Sequence, residues 1–184
     1  MVSALNTPSM RKMIIGAAAA VILGILALIV FKGASGSGVD YFKDPGAAVS
    51  LLREKVDGPV AIMELDIRAK NIMGFKVQNP RQKAEIDEYM VINGKVHKEG
   101  PATFTNNFTE AEANENVTPI ETVNFSLIPV MAKNALTNTK LKDAHLELVV
   151  LRCGRDRQIW TLHLRDARGR NDMPEFDRNG APRS

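Results

Sequence analysis

The apolar and polar positions divide the chain into one unbroken apolar run and a longer stretch in which helical and strand periodicities alternate. From Met13 to Val30 every residue is apolar or small, and Phe31 extends the run. At 1.5 Å per residue, about eighteen such residues just cross a ~30 Å hydrocarbon layer, so the pattern predicts a membrane-spanning helix over residues 13–31. Arg11 and Lys12 stand directly before it, while Lys32 alone follows it ahead of Asp40, and Asp44 comes soon after. The positive-inside bias then puts residues 1–12 in the cytoplasm and the bulk of the chain across the membrane, which in a Gram-negative cell is the periplasm. A cleavable signal peptide competes with this reading, since residues 33–36 are all small; the apolar run, however, exceeds the usual h-region of about 7–15 residues. Gly16, Ala20 and Gly24 recur at every fourth position and form a small-residue stripe on which a partner's helix, or a second copy of this one, could pack closely.

Residues 32–40 are rich in Gly, Ala and Ser and read as a flexible tether. A first α+β unit is expected over 41–98. Asp44, Pro45 and Gly46 look like an N-cap followed by a first-turn proline, and Val49, Leu52 and Val56 continue at helical spacing until Gly58 and Pro59 end the helix. Ala61, Met63, Leu65 and Ile67 alternate with Ile62, Glu64, Asp66 and Arg68, as a strand with one apolar face would. Met73, Phe75 and Val77 repeat the alternation, a third strand runs through Tyr89 and Val91, and Asn93-Gly94 signals a two-residue hairpin leading to Lys95 and Val96. Residues 99–120 are polar and lack a sustained period, so they read as a connector. A second unit over 121–184 has a helix across Leu127 to Leu141, strands carrying Leu146, Leu148 and Val150 and then Trp160, Leu162 and Leu164, and a short last strand at Phe176.

The halves share an order of elements. Each runs helix, strand, strand, then a strand opening on an acidic residue and an aromatic ring and closing on Asn-Gly: Glu88, Tyr89, Asn93 and Gly94 in one, Glu175, Phe176, Asn179 and Gly180 in the other. The expected fold is therefore α+β, with two tandem helix-plus-antiparallel-meander units arising by internal duplication. On those residues the layout, from Asp44 to Gly180, resembles PepSY-type modules and the tandem units of beta-lactamase-inhibitor-protein-like domains, in which a helix lies across a short antiparallel sheet. The resemblance implies a binder, inhibitor or accessory domain of the bacterial envelope and transfers no binding residue.

Composition narrows the chemistry. A net charge of +3 falls short of the dense basic footprint of a nucleic-acid binder, and 5% aromatic residues leave few rings for stacking bases or flat cofactors. The single Cys153 excludes an intramolecular disulfide and any multi-cysteine metal site. His97, His145 and His163 show no metal-ligand spacing, and no phosphate loop, dinucleotide fingerprint or nucleophile elbow occurs. No cofactor, metal or catalytic residue is therefore expected. Flanked by Arg152 and Arg155, Cys153 could have a lowered pKa, but a structural cysteine is the plainer reading.

One bias remains. Arg152, Arg155, Arg157, Arg165, Arg168 and Arg170 come without any Lys and cluster beside Cys153 and Gly169. Arg pairs bidentately with carboxylate and phosphate, so these residues are candidates for contact with an acidic partner or a lipid headgroup, although interleaved Asp156, Asp166 and Asp172 would also suit a self-neutralised, solvated hairpin. The expected function is a non-catalytic, membrane-anchored extracytoplasmic accessory or scaffold protein that binds a larger membrane-protein complex. The alternative is a PepSY-like inhibitor or regulator of an envelope enzyme.

Overall fold

The computed structural model describes residues 39–102, 109–154 and 157–183. The expected span over 13–31, with Gly16, Ala20 and Gly24, lies outside the described residues, and among the described residues no helix is long and apolar enough to cross a membrane. The fold begins at Val39. Asp40 caps its own turn by accepting from the Phe42 N–H at 3.2 Å, and Tyr41 is fully buried.

Helix α1 (Pro45–Lys55) starts where the sequence predicts: the Asp44 side chain accepts from the Ala47 N–H, Pro45 occupies the first turn, and the chain leaves the helix before Gly58 at φ 128°. Strands β1 (Ala61–Ala69), β2 (Ile72–Gln78), β3 (Ile86–Ile92) and β4 (Lys95–Pro101) form an antiparallel meander. Its β3–β4 turn is the expected Asn93-Gly94 pair, with φ of 52° and 77° as a type I′ hairpin requires. The described part of the stretch read as a connector is structured. It completes β4 and holds a short helix α2 (Glu110–Glu115), strand β5 (Thr118–Pro119) and a 3₁₀ turn at Ile120–Thr122. Helix α3 (Leu127–Asn138) follows, then β6 (His145–Gly154), β7 (Arg157–Arg165), β8 (Asn171–Asp172) and β9 (Glu175–Phe176).

All nine strands belong to one antiparallel sheet in the order β4-β3-β2-β1-β6-β7-β8, with β5 beside β1 and β9 beside β7. The first strands after the two long helices, β1 and β6, thus lie antiparallel at its centre. Ala48, Val49 and Leu52 of α1 and Ile128, Met131 and Ala135 of α3 join Leu65, Ile67, Phe75, Val149, Leu151, Trp160 and Leu162 in one core, so both helices cover the same face. Burying each large side chain contributes about 1.5–3 kcal/mol.

Two strands depart from the simple alternation. A bulge between Ile62 and Glu64 leaves Met63 without an opposite residue, so Ile62 shares the core with Leu65 and Ile67 while Met63 turns to a small cluster of Ile86, Ala102, Ala113 and Val117. A second irregularity between Leu146 and Leu148 moves the core face to Val149 and Leu151, leaving Leu148 and Val150 opposite. In both strands an extra residue reverses which side chains face inward. The last strand is also divided: Pro174 has no N–H for the ladder, although its carbonyl accepts from Leu162, and β8 and β9 are left with two residues each.

Candidate functional site

The β6–β7 hairpin that carries the arginines spreads them apart. Arg157 pairs with Gly154 at one end of the ladder, and Arg165 pairs with His145 at the other. Eight residues at ~3.3 Å each separate these positions by about 26 Å. Arg157 and Arg168 therefore cannot serve one small contact. Arg155 lies outside the described residues. Arg152 points from the open face of the sheet, its Nε 3.3 Å from Glu64 Oε2, where Lys76 Nζ reaches Glu64 Oε1 at 2.6 Å. Across adjacent strands the charges read Glu88, Lys76, Glu64, Arg152, alternating in sign, so this strip satisfies itself. Arg165 is held by Glu147 at 2.9 Å and Arg170 by Asp166 at 2.7 Å.

The larger concavity lies at the Arg157 end. It has a volume of about 640 Å³, between β5 (Thr118, Pro119), the start of α3 (Asn124, Leu127), Arg157 and Gln158 of β7, and Arg178 and Asn179 of the C-terminal turn. An adjoining hollow adds Ile159 and Arg183. The C-terminal turn is drawn there because Phe176 bridges to Pro182, Arg183 N donates to the Glu175 carbonyl, and a Cβ at Gly180, which has φ 77°, would stand 3.3 Å from Leu127. Asp177 also lines this hollow and stays charged, close enough to Arg178 and Arg183 for both to favour its ionised form. Its carboxylate accepts from the N–H groups of Asn179 and Ala181, which hold its pKa below the usual range. Among the described residues, Arg157, Arg178 and Arg183 make no ion pair. The groove and its adjoining hollow are thus polar and edged by three guanidinium groups that make no ion pair among the described residues, an arrangement suited to an extended segment bearing carboxylates. Sequence reading singled out Arg157 but not Arg178 or Arg183, whose return to the sheet depends on the turn at Asn179-Gly180.

The opposite end has a smaller cleft of about 390 Å³, lined by Lys140, Lys142, Asp143, Asp166, Ala167, Arg168 and Arg170. Asp166 organises its loop: Oδ1 accepts from the N–H groups of Arg168 and Arg170, both at 2.9 Å, and Oδ2 from Arg170 Nε at 2.7 Å. Burial alone would raise its pKa, but the Arg170 bonds and the Arg168 N–H outweigh that and leave it lowered.

These geometries predict a pH response. Asp166, Asp177 and Glu112, the acidic member of a capping box with Thr109, all have lowered pKa values in the fold, Glu112 through its bonds from the Thr109 N–H and hydroxyl. A carboxyl group depressed on folding stabilises the fold above its unfolded pKa, about 3.9 for Asp and 4.3 for Glu, and loses that contribution as pH falls through the lower folded value. The melting temperature should therefore be nearly level from neutrality to about pH 5 and fall steeply below about pH 4. Asp166→Asn with Asp177→Asn should lower it at neutral pH and flatten the acid limb, as calorimetry across that range would show.

Cys153 sits on the core side of β6, and burial, only partly offset by a hydrogen bond with Thr118, pushes its thiol up to about 12. It is protonated at neutral pH and is not poised as a nucleophile. Among the described residues no three His, Cys, Asp or Glu side chains gather to hold a metal ion. His97 and His145 are exposed and His163 is half-buried, on separate strand positions. No protein-family model, curated protein or solved structure matches the chain.

Proposed function

We propose that this protein is a non-catalytic, membrane-anchored accessory or scaffold subunit: residues 13–31 hold it in the bilayer with its N-terminus cytoplasmic, and its extracytoplasmic α+β domain binds a larger membrane-protein complex. The observation that carries this reading is the 640 Å³ groove edged by Arg157 and Arg178, with Arg183 in the adjoining hollow, set at the end of the sheet opposite to where Val39 and Tyr41 bring the chain into the fold. An end so shaped and charged suits gripping an acidic segment of a partner. The internal duplication is supported by the sheet order, in which β1 and β6 sit at the centre and each half's later strands run outward. The Gly16, Ala20 and Gly24 stripe supplies a second contact, with a partner's helix or with another copy of the chain, inside the membrane.

Extraction in mild detergent should co-isolate a stoichiometric membrane protein. Replacing both Arg157 and Arg178 by Ser should weaken its retention tenfold or more, because hydrogen bonds from charged groups in a sheltered cleft contribute about 1.5–3 kcal/mol each, against ~0–1 for exposed ion pairs. Unchanged retention with an unaltered melting temperature would remove the groove from the interface.

A further inference from the structure

The end of the domain nearest the chain's point of entry is built differently from the groove. Tyr41 is fully buried there, its N–H donating to the Lys70 carbonyl at 2.5 Å and its hydroxyl accepting from the Gly94 N–H at 3.2 Å. Tyr41 therefore enters the described fold beside the β1–β2 and β3–β4 turns. Because β6 is antiparallel to β1, and β7 to β6, the α3–β6 and β7–β8 loops emerge at this same end. Together the four connections present Lys70, Lys95, Lys140, Lys142 and Arg168, all exposed and none in an ion pair among the described residues. The nearby Asp166 carboxylate is already engaged by Arg170 and two backbone N–H groups, so Asp143 is the one uncommitted acid lining the cleft that Lys140, Lys142 and Arg168 share.

We propose that this end is a docking surface for anionic lipid headgroups, which holds the domain upright on the bilayer and directs the groove away from it. The inference rests on the anchored reading. The seven residues from Lys32 to Gly38 can span at most about 25 Å, the limit for any seven-residue chain. That keeps the basic end close to the bilayer, and tethering supplies an effective concentration in the millimolar range, so an attraction screened over ~8–10 Å suffices. Phosphate oxygens suit both Arg168 and the two lysines of the cleft. At the ~1 kcal/mol typical of a basic residue beside an anionic leaflet, each free cation shifts the ratio of docked to detached domain about fivefold.

The test uses the full chain, reconstituted into vesicles of phosphatidylcholine alone or of two parts phosphatidylcholine to one part phosphatidylglycerol. With Cys153, which is only partly buried, replaced by Ser, a fluorophore is attached through Ala167→Cys at the basic end or Gln82→Cys at the far end. Energy transfer to a headgroup-labelled lipid should rise at least twofold at position 167 on adding phosphatidylglycerol. It should fall back in high salt and in the Lys140→Ser, Lys142→Ser, Arg168→Ser variant, while position 82 does not rise. Inserted protein with equal transfer from both positions, or higher transfer from position 82, would overturn the docking surface and leave the anchor standing. A chain that does not insert but floats with the anionic vesicles through its basic end would sustain the surface and overturn the anchor. Failure to associate with either vesicle type would overturn both.

Discussion

Trp160→Ala should cost the domain about 3–5 kcal/mol, the range for deleting a large buried ring. Trp160 is fully buried in β7 between Leu151 of β6 and Phe176 of β9, and Phe125 packs edge-on with ring centroids 6.4 Å apart and an interplanar angle of 79°. It therefore joins the centre of the sheet, the short last strand and the approach to α3. Its Nε1 is buried without a hydrogen-bond acceptor among the described residues, a penalty of roughly 1–3 kcal/mol that an apolar ring would not carry. Trp160→Phe should accordingly lose less than half as much as the alanine variant. Urea unfolding followed by circular dichroism checks both, since Trp160 is the only tryptophan and its fluorescence disappears in each variant. The midpoint should move while the slope stays constant. Equal losses in the two variants would mean that a phenyl ring recovers none of the packing and that relieving the buried N–H restores nothing.

Gly74→Val should destabilise by about 2–3 kcal/mol, although valine ordinarily favours a strand. A Cβ at Gly74 would stand 2.8 Å from Asp66 Oδ1 and 3.1 Å from both Asp66 Cγ and Oδ2. Asp66 lies directly across β1 from Gly74 and accepts from Arg68 Nε at 2.5 Å and Nη2 at 3.1 Å, so the missing side chain on β2 is what lets this ion pair lie against the open face of the sheet. Pairing Gly74→Val with Asp66→Ala should recover part of the loss, with a coupling of about 1–2 kcal/mol in a double-mutant cycle. Strict additivity would show that the close approach between Gly74 and Asp66 is not the cause.

Local signals in the sequence translated well. Asp44-Pro45 starts α1, Asn93-Gly94 makes the β3–β4 hairpin, Pro129 sits in the first turn of α3, and the Trp160, Leu162, Leu164 alternation is fully buried. Thr109 and Glu112 were equally legible, because a Thr three residues before a Glu is a capping box; the polarity of the surrounding stretch hid the α2 start it marks. The bulges near Met63 and Glu147 were not legible, since an inserted residue leaves composition unchanged while reversing the faces on either side. For the arginines, nearness in sequence stood in for nearness in space. A nine-residue strand separates Arg157 from Arg165, and the groove instead gathers Arg157 with Arg178 and Arg183 through a long-range return of the chain.

Native mass spectrometry of the full chain, released from membranes in mild detergent, tests the anchored accessory reading most directly. It should show the intact 20.2 kDa chain, with residues 13–30 retained, in stoichiometric complex with a second membrane protein. A lone chain whose N-terminus has been trimmed to near Ser35 would contradict both the anchor and the partnership.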